Sequence, residues 1–451
     1  MHDATSVRWL SRWEKAGLWL LLALVVAFGV IVEKRTAFMS RRMGDLGCYL
    51  RGAWAVRVGG DLYAVMDDNG WHYNYPPLLA ILMAPLADPP HEADHTGMVP
   101  YAVAAALWYV LNVLALAVGI HWLASALERT SALPALRNQP VGCRGWWVLR
   151  VAPVLLCLPM VGHTLMRGQV NLLMLALLCG MGTGLLRGQR FRAGLCLSGM
   201  ICVKVFPAYL LVYPVWRRDL RCLMGCAAGL FVGLIALPVA VFGPEQTVEH
   251  YRTWAKVLVG PALGARGDES RSKELTEVPA TDTQAFYAVL HNTLHLDRAT
   301  RPVHAEPWVR STHWLIGGVL TLLALLAGGR RTDALGNALL LGALAIIMLL
   351  LCPVCHLHNL AVCTFLVMVL MASDWERRGM RLSWGLLGVF AVYVLLNVIP
   401  QLPRFELTRD LGLAMYGALL LWLTTVIKLR QGVITQPTLA IVHEGGTARA
   451  A

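Results

Sequence analysis

Apolar stretches of roughly 15 to 25 residues recur along the whole of this chain, and that limits its fold more than any other feature, because a helix needs about 20 such residues to cross a bilayer core. An apolar segment in lipid can satisfy its backbone N–H and C=O groups only within itself, so the segments are expected to be α-helices. Charged residues make up 15% of the chain, against about 25% in an ordinary soluble domain. The expected fold class is therefore all-α: a polytopic membrane protein with about 10–12 transmembrane helices and no sizeable soluble domain.

The segments lie near residues 17–32, 76–88, 101–125, 148–166, 170–186, 193–216, 222–242, 312–328, 335–352, 357–372, 382–400 and 410–428. The one opening at Pro76-Pro77 is short and reads as a partial or re-entrant helix. The first follows Arg8, Arg12 and Lys15 without a small-residue cleavage site and is followed by charge, so it is expected to be a retained first helix. Residues 1–430 read as one membrane domain, and the Gly- and Ala-rich tail 431–451 as disordered.

The net charge of +12 is spread over short turns such as Arg187 to Arg192, Arg217 to Arg221, Arg330-Arg331 and Glu376 to Arg381. That distribution fits anchoring to anionic membrane lipids and no nucleic-acid module. The basic turns after Arg330 read as cytoplasmic, which leaves His356 and His358 on the outer side. Basic residues both before and after the first segment, including Lys34, Arg35, Arg41, Arg42, Arg51 and Arg57, give conflicting orientation signals. The sides of the loops between Pro76 and Arg221 stay open. The 11 cysteines are odd in number and lie mostly inside apolar segments, which speaks against a disulfide framework.

Two connections, about 33–75 and 243–312, are too long for simple helix joints, which take about 2 to 8 residues. In the first, the spacing of Leu46, Tyr49, Leu50, Ala53, Trp54 and Arg57 predicts a helix with one apolar face lying on the membrane surface. Asp45 in its first turn has two readings, a helix cap or a catalytic carboxylate. Lys204 lies ~11 residues into its apolar segment, roughly 16 Å from the start, too deep for simple snorkelling. An ammonium there costs about 2.5–3.5 kcal/mol at mid-bilayer and needs a partner or a polar cavity. Pro207, one turn later, is expected to kink the helix. Gln169 and Asn171 occupy a short polar break beside Arg167, readable as turn chemistry or as hydrogen-bonding groups for a substrate. Cys352-Pro353-Val354-Cys355-His356 formally matches a haem-attachment pattern, and with His358 a metal set; the apolar helices on both sides argue against either.

The order Asp45, Tyr49, Gly52, Gly60-Asp61-Leu62-Tyr63, Tyr75-Pro76-Pro77-Leu78 and Pro85-Leu86 resembles the opening of glycosyltransferase family 87, polyprenol-phosphate-mannose-dependent mannosyltransferases of the C-type superfamily. The resemblance continues through Arg167 to Leu173, Lys204 to Pro207, Gly243-Pro244-Glu245 and Cys352 to His358. It implies the C-type architecture in an inner membrane, with the active site and both long loops on the outer face. It further implies transfer of a sugar, mannose by analogy, from a polyprenyl-phosphate donor to a lipid or glycan acceptor, with inversion and no cofactor, metal dependence staying open. Asp45 would be the general base. Lys204, His358, Arg167, Gln169, Asn171, Tyr75, Arg51 and Asn292 would bind donor phosphate or substrate, Asn292 from a loop that either covers the acceptor or is simply solvated. A multi-spanning transporter or lipid flippase is the alternative, although the internal symmetry common in transporters is missing from the sequence.

Overall fold

The computed structural model describes residues 8–39, 44–130, 137, 140–262, 273, 275–278 and 282–431. Among the described residues there are helices, turns and two isolated β-bridges, and no strand. Residues 432–451 of the tail expected to be disordered lie outside them, as do Arg41 and Arg42.

The first stretch forms α1 (Arg12–Ala37), opened by a capping box in which the Ser11 and Glu14 side chains each accept the other's backbone N–H. α2 (Gly44–Val58) and the short α3 (Pro77–Met83) follow. Next come α4 (Tyr101–Thr130), α5 (Arg144–Leu156) and α6 (Leu158–Arg167), the last two bent by 67° where Pro153 and Pro159 flank Cys157. α7 (Asn171–Leu186), α8 (Arg190–Val203), α9 (Phe206–Trp216) and α10 (Leu220–Phe242) run back and forth. After α11 (Pro244–Trp254) and α12 (Phe286–Leu294) come α13 (Pro307–Gly329), α14 (Ala334–Leu351), α15 (Leu357–Arg378), α16 (Trp384–Gln401) and α17 (Leu413–Arg430).

Eight of these helices are long and apolar enough to span a bilayer, and the bent α5–α6 pair makes a ninth. Among the described residues, α7 and α9 are shorter apolar helices beside these. The Pro77–Leu86 segment does not cross: Tyr75 before it and Asp88 after it both pack beside α2, so it enters and returns on one side. In their apolar windows α15 is wholly buried and α14 nearly so, whereas only 6% of α1 is buried, which puts the last-named helix on the lipid-facing rim.

Helices in lipid gain no hydrophobic advantage from one another and associate through close packing, for which small residues are needed. Gly194 of α8 and Gly225 of α10 show this: a Cβ on either would fall 2.0 or 2.1 Å from a backbone oxygen of the facing helix, Cys222 O or Phe191 O. Gly119 lets α4 approach the Ala176 backbone of α7 in the same way.

Contacts sort the helix ends into two sets. At one end, Arg190 pairs with Asp219, Arg217 donates to the carbonyls of Gly328 and Arg331, Arg331 pairs with Asp333 and Glu376, and Lys428 pairs with Asp374. Glu14–Arg144 and Glu128–Arg150 join the ends of α1, α4 and α5 on the same side of the chain's path. Residues 44–100, 167–171, 203–206 and 351–358 and the described residues of 243–312 gather at the opposite end. Among the described residues the topology left open between Pro76 and Arg221 is thereby fixed: the basic turns share one end and the described parts of both long connections the other.

Two local expectations need correction. Helix α2 does not lie on a surface; nine of its residues, Leu46 through Ala53 and Ala55, are buried beneath the 61–75 segment and α3. The buried Arg51 is matched by Asp68 at 2.8 Å and by the carbonyls of Asp88 and Met66, contacts no local pattern could reveal. The stretch 193–216 is not one kinked helix either. α8 stops at Val203, Lys204 is extended, and Pro207 sits in the first, 3₁₀ turn of α9. The break lets the ammonium reach polar partners rather than lipid.

Candidate active site

The second end of the bundle encloses a cavity of about 620 Å³. Its lining includes Asp45, Trp71, Asn74, Tyr75, Arg167, Gln169, Lys204, His356 and His358 together with Val205, Ala208, Tyr209, Leu258, Val259, Trp314 and Leu351.

Asp45 stands in the first turn of α2, where a carboxylate complements the helix dipole. Both of its oxygens are also engaged from outside the helix. Arg167 Nε donates to Oδ2 at 2.8 Å, and Gln169 Nε2 donates to Oδ1 at 2.6 Å. Arg167 ends α6, whose chain then turns through Gly168 in the left-handed conformation, φ 67°, ψ 29°. That turn projects Arg167 and Gln169 to the same carboxylate. A carboxylate has about four lone-pair positions, so these two contacts leave room for a further proton donor.

Gln169 is buried, and its amide orientation is fixed by its partners. Its Oε1 accepts from the Tyr49 hydroxyl at 2.9 Å and from Lys204 Nζ at 3.1 Å. Lys204 also donates to Asn171 Oδ1 at 3.1 Å and lies 5.5 Å from the Tyr75 ring centroid. Asn171 Nδ2 in turn donates to Asn359 Oδ1 at 3.0 Å, and Asn359 Nδ2 to the Val354 carbonyl at 3.1 Å. One polar network thus runs from α2 across α6, α7 and α8 to the loop before α15. Burial raises the Tyr49 and Tyr75 hydroxyls well above the usual phenol range, so they serve as neutral hydrogen-bonding groups.

His358 stacks on His163, centroids 6.2 Å apart and nearly parallel, with His356 5.0 Å away and tilted by 41°. The His358 carbonyl accepts from Thr164 at 3.1 Å, which fixes the loop against α6. Burial first, then the nearby Arg167, pushes His356 down to about 4, so it is neutral at ordinary pH. Cys355 N–H donates to Thr283 Oγ1, and Gln284 N–H to the Cys355 carbonyl at 2.6 Å, tying the second long connection to the cavity wall. Among the described residues, no three His, Cys, Asp or Glu side chains converge as a metal-ligand set.

The sequence-derived candidates Asp45, Tyr75, Arg167, Gln169, Lys204 and His358 meet at this cavity, with Asn171 one hydrogen bond behind. Arg51 and Asn292 do not line it. Arg51 braces the first connection, and Asn292 donates to the Asp410 carbonyl at 3.3 Å, near where Arg298 and Arg301 pair with the Asp410 side chain. Tyr49, Asn359, His163 and His356 take part beyond the candidates named for donor or substrate binding. Tyr49 entered the sequence reading through helix spacing and the family resemblance and His356 through the Cys352 to His356 pattern, whereas Asn359 and His163 had only their position near the polar breaks.

Comparison with known proteins gives a concordant result. A relative from Mycobacterium tuberculosis, a polyprenol-phosphate-mannose-dependent alpha-(1-2)-phosphatidylinositol mannoside mannosyltransferase, is 25% identical over 411 residues, which cover 87% of this chain and 85% of the relative. A protein of the same name from Mycolicibacterium smegmatis is 28% identical over 204 residues, 43% of this chain and 42% of the relative. Among solved structures, ArnT from Cupriavidus metallidurans bound to undecaprenyl phosphate aligns over 92% of this chain and 77% of its own, at 12% identity and a TM-score of 0.37, too slight a likeness to transfer any feature. The family model of glycosyltransferase family 87 matches residues 73–353, more than half of the chain, and the protein is a membrane glycosyltransferase belonging to that family.

Proposed function

We propose that the protein transfers mannose from a polyprenyl-phosphate carrier to a lipid or glycan acceptor on the outer face of the cell membrane, with Asp45 as general base. The observation that carries this reading is the joining of a carboxylate and a buried ammonium, Asp45 and Lys204, to one amide at a cavity lined by both polar and apolar side chains. A lipid phosphate sugar presents both kinds of group. The mycobacterial relatives are named for that donor. The outer-face assignment rests on the basic turns at the opposite end of the bundle, since positive charge favours the cytoplasmic side.

In the reaction the acceptor hydroxyl oxygen bonds to the anomeric carbon as the bond from that carbon to the phosphate oxygen breaks. The hydroxyl proton goes to an Asp45 oxygen, and polyprenyl phosphate departs as an anion that needs no acid. Lys204 offsets the charge gathering on the phosphate, and Arg167 keeps Asp45 aimed. His356 and His358 offer ring nitrogens to the sugar or phosphate. Attack opposite the leaving group inverts the configuration.

The test is in vitro transfer from a defined polyprenyl-phosphate mannose, followed by product mass and anomeric NMR. Loss of transfer in Asp45→Asn, with normal accumulation in the membrane, is expected; retained transfer removes Asp45 from the role, and a retained anomeric configuration removes the single displacement.

A further inference from the structure

Lys204 and Asp45 share no contact, yet one side chain touches both. Gln169 gives its amide nitrogen to Asp45 Oδ1 at 2.6 Å and receives Lys204 on its amide oxygen at 3.1 Å, with Tyr49 on the same oxygen at 2.9 Å. Reversing the amide would set oxygen against carboxylate and NH₂ against ammonium, so only one orientation satisfies all three partners. The side chain is buried, as are Tyr49, Asn171 and Lys204 around it. The other acceptor described for Lys204, Asn171 Oδ1, is likewise a neutral amide oxygen, itself set by Asn359.

Resting on the reading above, we infer that Gln169 is a positioning residue that couples the group meeting the donor phosphate to the base that activates the acceptor. An anion arriving at Lys204 competes with the Gln169 oxygen for the ammonium's hydrogens. The amide then rests on Tyr49 and moves with the carboxylate it holds. Gln169 need not touch the phosphate for this. Asp45 is held in its working direction by an amide whose own setting depends on whether the donor is in place. A charge-assisted hydrogen bond such as Gln169–Asp45 is stronger than a neutral one, so the coupling passes through its stiffest link.

A direct phosphate ligand and a positioning residue differ in kinetics. Loss of a ligand raises the donor KM; loss of a positioning group lowers kcat and leaves the donor KM nearly unchanged. The experiment measures kcat and donor KM, with polyprenyl-phosphate mannose and one acceptor, for Gln169→Met, Lys204→Met, their double variant and Asp45→Asn in purified full-length protein. Expected for Gln169→Met is a fall in kcat of about 30-fold with donor KM within about threefold, because small misplacements at a reacting centre cost about that much. For Lys204→Met a rise in donor KM is expected, and the double variant should lose less kcat than the product of the two single losses. Gln169→Glu, which keeps an oxygen for Tyr49 and Lys204 but sets a second carboxylate against Asp45, is the second variant should Gln169→Met fail to fold; its kcat should fall at least as far.

Unchanged kcat in both Gln169 variants overturns the inference, as does a donor KM that rises in Gln169→Met as it does in Lys204→Met. Independent, multiplicative losses in the double variant remove the coupling. The Asp45→Asn arm separates the two levels: if that variant still transfers sugar, the reading of the base has failed, whereas an inactive Asp45→Asn beside a normal Gln169→Met refutes only the role of Gln169.

Discussion

Arg167 and Asp45 are 122 positions apart in sequence, and the structure sets the guanidinium Nε 2.8 Å from the carboxylate Oδ2. The arginine is partly exposed at the cavity while the aspartate is largely covered, so the pair stands between solvent and the buried amides behind it. An arginine here fixes one edge of the carboxylate, and a lysine, with its flexible stem, cannot reproduce that geometry. In steady-state transfer assays, Arg167→Gln should lower kcat by about tenfold or more, with Arg167→Lys recovering only part of the loss. A variant with full activity would show that Gln169 and the helix terminus orient Asp45 unaided.

Removing the buried ammonium should harm binding more than folding. Lys204→Met deletes a charge-assisted contact that is worth about 1.5–3 kcal/mol, so donor KM should rise by about tenfold or more. The same change relieves the cost of burying a charge and replaces it with an apolar side chain of similar length. The thermal midpoint of the detergent-solubilised variant should therefore equal or exceed that of the parent. A lowered midpoint together with an unchanged KM would place Lys204 in the framework instead of the donor site.

His356 should make the fold sensitive to mild acid. Its imidazole is pushed down to about 4, chiefly by burial, against about 6.5 in an unfolded chain. Its contribution to stability is thus fully present above about pH 6.5 and is lost progressively as pH falls towards 4, because the unfolded state takes up the proton first. Thermal midpoints measured between pH 7.5 and 4.5 should decline less steeply in His356→Gln than in the parent. Identical slopes would assign the acid sensitivity to other groups.

The glycines at the α8–α10 crossing offer a test that does not involve the cavity. A Cβ at Gly225 would fall 2.1 Å from Phe191 O, a backbone atom that can yield only if the helices separate, whereas a Cβ at Gly385 would point into open space. Gly225→Ala should lower the thermal midpoint by several degrees and reduce accumulation in the membrane; Gly385→Ala should match or slightly exceed the parent, since alanine is the better helix former. Fluorescence-detected size-exclusion chromatography with a temperature series reads both.

Hydropathy by itself determined that this chain lives in a bilayer, because the cost of exposing apolar groups to water or backbone groups to lipid is paid segment by segment and can be read locally. Every apolar stretch identified in the sequence lies on a helix, wholly or in large part, and Asp45, Arg167, Gln169, Lys204 and His358 were visible as polar residues where such stretches are interrupted. Tertiary structure alone decided what those residues do to one another. Gln169 meets Asp45 across 124 positions, and Asn171 meets Asn359 across 188. No periodicity carries pairings of that range, because they depend on how close-packed helices bring distant polar breaks to one end of the bundle. The same holds for Arg51, whose spacing suggested a surface helix until Asp68 and the Asp88 carbonyl supplied the partners that allow its burial.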